Sequence, residues 1–274
     1  MFNSETFGIP IARPLAEVYE FLLEPSNIMH WAVVGGTETQ HLGGRFWSAE
    51  TSVGPRIIRF AERNDFGILD HHIFRHPGDT PHLIGARVVP NGAGTELIYT
   101  SFQRPEASEF EWQSLKEWIT ADLLAMQSML EARGRVAPMA PARTVSLSIE
   151  RPVPEVFDFV IDPANLPKWG FEAAASRLTD YEDNQWLVET AVGPRVMQFS
   201  KRNNLGVLDA WSRRMIGGAP VLIPIRVFPN DEGTELTYTF LQRPGTTKEA
   251  WHSLQEWMAT DLFALKNTLE FEVD

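Results

Sequence analysis

Apolar residues recur at helical spacing in two stretches of the first half of the chain, and both stretches predict helices. A short helix is predicted before Pro25, because Val18 and Leu22 lie four residues apart on one face. A much longer helix is predicted after Pro105, where an apolar stripe continues for about 20 residues at spacings of three and four. The stripe consists of Trp112, Leu115, Ile119, Leu123, Met126 and Leu130.

Short apolar runs separated by turn signals lie between the two helices. Gly54-Pro55, Pro77-Gly78 and Asn91-Gly92 are such signals, and they predict strands joined by antiparallel hairpins. A sheet with one apolar face and a helix with one apolar stripe must bury these surfaces against each other. The pattern therefore predicts an α+β fold with a sheet-on-helix core.

The whole pattern occurs twice. A shift of 138 residues aligns IARPLAEVYEFLLEPSNIMHW (11–31) with IERPVPEVFDFVIDPANLPKW (149–169). After a one-residue insertion the shift becomes 139, which aligns RNDFGILD (63–70) with RNNLGVLD (202–209) and continues to the end. We predict a first domain over residues 1–134, a Pro/Ala-rich linker over 135–142 and a second domain over 143–274. The two copies could also pack on each other as a pseudo-dimer.

Composition and charge limit the kinds of binding partner and the cellular compartment that we expect. The chain has 274 residues and a formal net charge of −12, and neither half has a basic excess, so nucleic acid is not an expected partner. It contains no cysteine, which excludes disulfides and thiolate metal sites. The N-terminus lacks the pattern of a signal peptide and no apolar run is long enough for a membrane span, so we expect a cytoplasmic protein without integral membrane association.

The repeated pattern resembles the START-like, or SRPBCC, superfamily, which includes polyketide cyclase/dehydrase-like proteins. The resemblance rests on the hydrophobic-x-Arg-Pro-x-x-x-Val-Tyr/Phe-x-Phe opening, on Pro-x-Asn-x-x-x-Trp, and on the late hairpin Pro-Asn-x-x-Gly-Thr-Glu-Leu. It implies a tandem duplication of a helix-grip domain, in which a curved antiparallel sheet wraps a long C-terminal helix around a cavity. Such a cavity would hold an apolar or aromatic small molecule, and no cofactor is implied.

Strand alternation selects the polar residues of the expected cavity. Arg56 shares a face with Ile58 and Phe60, where its guanidinium could bind a ligand carboxylate or enolate, although a strand-end arginine commonly pairs with water or a nearby acid. Tyr99 is expected to point inward with Leu97, either as a ligand donor or as an ordinary core tyrosine.

Tryptophans supply bulk to the same interior, either as ligand contacts or, more commonly, as plain core. The predicted ligand-binding residues of the first copy are Trp47, Arg56, His72, Tyr99, Trp112 and Trp118. Their second-copy equivalents are Trp186, Arg195, Trp211, Tyr238, Trp251 and Trp257.

Histidine differs most between the copies, because six of the seven lie in the first. The alternation of GILDHHIFR places His72 inward, and Trp211 replaces it in the second copy. We therefore expect a polar, titratable cavity in the first copy and a second copy filled by indole and mainly structural. The histidine spacing does not match a metal site, because adjacent residues of a strand point to opposite faces. Asp122 and Asp261 interrupt the helical stripe, at an edge position or as buried partners of Arg56 and Arg195.

Three functions are compatible with this pattern. The first is binding or carriage of an apolar or aromatic small molecule in the first copy. The second is a polyketide cyclase or aromatase-like enzyme in which His72 or Tyr99 moves protons and Arg56 steadies an enolate. The third is a protein-interaction module similar to chaperone activators, which an exposed apolar patch in place of a cavity would favour.

Overall fold

The structure is a computed structural model that describes residues 1–32, 38–51, 54–170, 178–182, 184–190 and 193–271. The chain divides into two compact units, Phe2–Met139 and Ala140–Asp274. We call them the first unit and the second unit.

The first unit is one seven-stranded antiparallel sheet with a long helix on its concave side. Its strands are β1 (Ser4–Ile11), β2 (Glu38–Gly43), β3 (Phe46–Thr51), β4 (Gly54–Phe60), β5 (His71–Phe74), β6 (His82–Asn91) and β7 (Gly94–Phe102). Its helices are α1 (Leu15–Leu23), a 3-10 turn at Pro25–His30 and α2 (Glu109–Glu131). The strands lie in the order β1-β7-β6-β5-β4-β3-β2. The meander predicted from the turn signals is thus completed by β1, which pairs with the last strand.

The second unit repeats this order of elements. Its strands are β8 (Ala142–Ile149), β9 (Leu178–Glu182), β10 (Gln185–Thr190), β11 (Gly193–Phe199), β12 (Ala210–Arg214), β13 (Val221–Ile223), β14 (Ile225–Asn230) and β15 (Gly233–Leu241). Its helices are α3 (Val153–Ile161), α4 (Leu166–Trp169) and α5 (Lys248–Phe271), with a 3-10 turn at Pro163–Asn165. Pro224 separates β13 from β14 at the point where β6 runs unbroken, since proline has no N–H for the ladder.

Each core lies between the sheet and the long helix. In the first unit the apolar stripe of α2 packs on α1 and on the inner faces of β6 and β7, with Leu123, Met126 and Leu130 almost fully buried. In the second unit Leu262, Leu265 and Leu269 of α5 take the same places. The predicted α+β fold, a tandem helix-grip arrangement, is confirmed.

A side-chain clamp shapes the turn between β4 and β5 and its copy between β11 and β12. The Oδ1 atom of Asn203 accepts hydrogen bonds from the backbone N–H groups of Leu205 and Val207, both at 3.0 Å. Gly206 then brings its carbonyl oxygen against β14, where the oxygen accepts a hydrogen bond from the N–H of Val227 at 2.9 Å. Asp209 completes the motif, because its carboxylate accepts from the N–H of Ile225 at 3.1 Å. Each repeated Arg-Asn-x-x-Gly-x-Leu-Asp segment thus fixes the direction of the strand that follows it.

Part of the segment predicted as the linker packs on the first unit. The N–H of Val136 donates to the carbonyl of Ala12 at 2.9 Å, and the carbonyl of Pro138 accepts from the N–H of Ala93 at 2.9 Å. Residues 136–138 therefore lie along the first unit. Within the described ranges, none of the helices is long and apolar enough to cross a membrane.

Candidate functional site

A small cavity lies between α2 and the sheet of the first unit, and we call it the first-unit cavity. Its volume is about 40 Å³. The apolar lining residues are Leu22, Ile28, Trp31, Phe60, Leu69, Ala86, Leu97, Leu123 and Met126, and the polar ones are Glu24, His71 and Tyr99. A few polar groups in a mostly apolar wall are typical of small-molecule sites. This void is large enough for water but smaller than the roughly 150 Å³ cavity that binds benzene.

The rim of this cavity consists of residues from α1 and the 3-10 turn. Leu22, Ile28 and Trp31 are each only partly buried, unlike Leu97 and Leu123 on the opposite wall. Partly buried side chains have fewer packing contacts to lose when they move. The rim is therefore the side on which a ligand can enter.

His71 is the buried polar group of the cavity wall. Its ring centroid lies 6.0 Å from that of Phe60 and 6.1 Å from that of Tyr99. Burial lowers the pKa of His71 to about 4. The imidazole is therefore neutral at pH 7 and offers one hydrogen-bond donor and one acceptor. A long contact of 3.4 Å joins its Nδ1 to the carbonyl oxygen of Leu69, which favours the tautomer with the proton on Nδ1 and the lone pair on Nε2.

The assignment of His72 to the interior is wrong. In the β4–β5 ladder, Phe60 pairs with His71 and Arg59 pairs with His72, so the two histidines point to opposite faces. Burial, and then the positive charge of Arg59, lowers the pKa of His72. The sequence missed His71 because the chain from 61 to 70 is a clamped turn and not a strand, so alternation cannot be carried from Ile68 to His72.

Tyr99 faces the cavity as predicted, and an acid lies near it. Burial, with the negative charge of Asp122 as a second cause, raises the pKa of Tyr99 above its usual value. The phenol is therefore protonated at neutral pH and can donate a hydrogen bond. Asp122 is 8% exposed, so the edge position considered for it is wrong, and Asp261 in the second unit is buried to the same extent.

Arg56 lies on the expected strand face but does not reach the cavity. Its Nη1 donates to the carbonyl of Pro55 at 2.8 Å, and the side chain is only partly buried. Its charge is one of those that act on Arg104, whose pKa is lowered first by burial and then by Arg75. Arg56 thus belongs to a cluster of charged residues at the end of its strand.

The first-copy tryptophans have different fates. Trp47 is partly buried and stacks at an angle on His41, with centroids 5.0 Å apart. Trp112 is buried at the start of α2, with the ammonium of Lys116 5.5 Å from its ring. Trp118 is 46% exposed, so its predicted place in the cavity is wrong. It lies one residue before Ile119, and one residue rotates a helix by 100°, off the buried stripe.

The second unit has a different lining from the one expected. Trp211 pairs with Gln198 on the outer face of β12, so it does not fill the interior. The interior residue is Ala210, which is the equivalent of His71 and pairs with the inward Phe199. Ile225 replaces Ala86. The expected filling by indole is therefore wrong, and the interiors differ by the pair His71 and Ala86 against Ala210 and Ile225.

The other second-copy candidates divide between core and periphery. Tyr238 is buried with its ring 5.0 Å from Phe240, and Trp186 packs partly buried on the core. Trp251 and Trp257 on α5 are partly buried. Arg195 is 9% exposed, in contrast to Arg56. Across the described parts of both units, no three histidine or acidic side chains are grouped as metal ligands would be.

Solved structures with a similar arrangement include two-domain proteins. They include the di-domain ARO/CYC BexL from the BE-7585A biosynthetic pathway, at 12% identity, a TM-score of 0.41, and coverage of 99% of this chain and 100% of that chain. The di-domain ARO/CYC StfQ from the steffimycin biosynthetic pathway has 11% identity, a TM-score of 0.37, and coverage of 97% and 98%. The Aha1 protein from Colwellia psychrerythraea has 14% identity and a TM-score of 0.40, and the match covers 49% of this chain and 99% of that one.

The fold is a tandem helix-grip fold. This follows from the order of elements in each unit, a strand, short helices, an antiparallel meander and a long closing helix. No protein-family model and no curated protein matches the sequence.

Proposed function

We propose that the first unit binds a small apolar or aromatic molecule in the first-unit cavity, with its polar end at His71 and Tyr99. The observation that carries this proposal is the convergence of a neutral imidazole and a protonated phenol on a mostly apolar void, whose third polar lining residue is Glu24. Burial of apolar ligand surface supplies about 25 cal/mol per Å², and the two polar groups fix the orientation.

The size of the void sets the size of the ligand. Because the void is about 40 Å³, a single ring enters only when the rim residues Leu22, Ile28 and Trp31 move outward. A ring-sized molecule with one hydroxyl or carbonyl group fits this requirement better than a long acyl chain, which needs much more space.

Binding is favoured over the cyclase-like alternative by the charge state of the histidine. A general base at neutral pH needs a pKa near 7, whereas the pKa of His71 is about 4. His72 lies on the other face, and Arg56 donates to a backbone carbonyl outside the cavity. Of the residues given proton-transfer and enolate roles, only Tyr99 lines the void, and His72 and Arg56 do not.

Titration with 4-fluorophenol, followed by ¹⁹F NMR, tests the proposal against fluorobenzene, which lacks the hydroxyl. We expect saturable binding of both probes, with 4-fluorophenol bound about threefold to tenfold more tightly, since one net hydrogen bond contributes about 0.5–1.5 kcal/mol. His71→Ala should remove this preference. His72→Ala is the matched control on the opposite face and should leave binding unchanged.

Ala86→Ile gives a second, independent test. It introduces the residue that the second unit already carries at this position, and we expect at least tenfold weaker binding because the side chain occupies the void. The double variant His71→Ala/Ala86→Ile reproduces the second-unit pair and separates loss of binding from misfolding. Binding of neither probe to the unmodified protein, or undiminished binding to Ala86→Ile, would contradict the proposal.

A further inference from the structure

Arg195 is a buried cation in the interior of the second unit. Its residue is 9% exposed, and its Nε and Nη1 atoms are buried without a hydrogen-bond partner among the described residues. It lies on the strand face that carries Met197 and Phe199, both of which pack in or against the core. Burial of these two nitrogens without hydrogen bonds is costly, and an anionic ligand would satisfy both of them.

In the first unit, acidic residues belong to the charged cluster that contains Arg56, the equivalent of Arg195. There Arg75 forms ion pairs with Asp79 and Glu106, and the charges of all three act on Arg104. Arg56 belongs to this network and keeps contact with solvent. The arginines of the first unit are thus accompanied by acids.

The second unit keeps the arginines and loses both acids. At the shift of 139, Arg56, Arg75 and Arg104 become Arg195, Arg214 and Arg243, whereas Asp79 and Glu106 become Gly218 and Gly245. Arg214 is the direct cross-strand partner of Arg195 and is exposed. The two acids that pair with Arg75 in the first unit thus have no acidic equivalent beside Arg214 in the second.

Apolar groups surround Arg195 on its own face. Val188 is opposite it across the ladder and fully buried, while Trp186 and Met197, also on the inner face, are partly buried. Trp186 and Met197 therefore keep some contact with solvent on this face. A cation beside an indole and a thioether suits an anion attached to an apolar body.

The geometry points to a second ligand site, in which Arg195 binds the carboxylate of an apolar molecule inside the second unit, with Arg214 at the outer side of the anion. A carboxylate presents two oxygens to the planar fork of a guanidinium and can accept from both orphaned nitrogens. This site goes beyond the proposed function, because it lies in the other unit and selects for charge. Its validity does not depend on ligand binding in the first-unit cavity.

Calorimetric titration with octanoate, octan-1-ol and inorganic phosphate tests this site. Octanoate has both the apolar tail and the negative charge. Octan-1-ol has only the tail and phosphate has only the charge, so each of these two isolates one part of the recognition. We expect octanoate to bind at least tenfold more tightly than octan-1-ol and phosphate not to compete. Arg195→Met should abolish that preference, whereas the matched control Arg56→Met should keep it.

The thermal midpoint without ligand supplies a second readout. Arg195→Met removes a buried charge that lacks a partner, so we expect its Tm to rise by about 2–4 °C. Equal binding of octanoate and octan-1-ol to the unmodified protein would overturn the proposal even if Arg195→Met did not fold. Full competition by phosphate would show that the apolar tail is not recognised. Unchanged octanoate affinity in Arg195→Met would overturn the role of Arg195.

Discussion

Gly206→Ala is expected to lower the free energy of unfolding of the second unit by about 3–4 kcal/mol. The φ angle of Gly206 is +70°, which an L-residue adopts at a cost of about 1 kcal/mol or more. A Cβ at this position would lie 1.9 Å from the carbonyl oxygen of Val227. The turn must therefore move away from β14, which breaks the hydrogen bond from the N–H of Val227 to the Gly206 carbonyl.

Gly217→Ala is the matched control for this substitution. Gly217 has nearly the same φ angle, +68°, but a Cβ there would meet no atom within 4 Å of the described structure. Its expected cost is the conformational penalty alone, about 1 kcal/mol. Urea denaturation of both variants measures the difference, and equal losses would show that close approach to β14 does not matter.

Glu96→Gln is expected to stabilise the first unit by up to about 3 kcal/mol at pH 8 and to have little effect at pH 4. Burial raises the pKa of Glu96 from 4.5 to about 7, against the opposing effect of a hydrogen bond from Asn91. A raised carboxyl pKa contributes stability that is fully present below pH 4.5 and is lost as the pH rises through 7. Glutamine does not ionise, so the variant keeps its stability across that window.

The second unit explains the raised pKa and provides the controls. Glu235, the equivalent residue, accepts from Asn230 at 3.0 Å and also from the hydroxyl of Ser148 at 2.7 Å. In the first unit the residue opposite Glu96 is Pro10, which has no side-chain donor. Pro10→Ser should therefore lower the pKa of Glu96 and flatten the pH dependence of stability.

Glu235→Gln should give no gain at pH 8, because the substitution disturbs the hydrogen bond from the hydroxyl of Ser148. Guanidinium chloride denaturation at pH 4, 6 and 8 distinguishes these variants. A Glu96→Gln variant whose stability runs parallel to that of the unmodified protein over this range would contradict the assignment.

The architecture was predictable because it depends on patterns that are repeated. The stripe from Trp112 to Leu130 and the turn signals occur twice in register, and each alone favours the element that forms. The long-range pairing of β1 with β7 then follows from the resemblance to the helix-grip arrangement.

The polar lining was less predictable, because it depends on the phase of each strand. Leu69 and His71 share the inner face, but Ile68 is also buried, so the sequence alone does not show which set faces the cavity. Arg56 and Arg195 likewise occupy equivalent strand positions but differ in burial, which strand alternation does not predict.

The exchange of His71 and Ala86 for Ala210 and Ile225 has an evolutionary consequence. The two repeats descend from one ancestral repeat, and two successive substitutions separate the present pairs. The intermediate that has only one of these substitutions contains either two bulky residues or two alanines. The bulky pair overfills a packed interior and forces side chains from their rotamers. The pair of alanines leaves a larger hollow, which lowers stability but keeps the backbone intact. The less damaging intermediate is thus the more spacious one, and a bound guest molecule would offset its loss of stability.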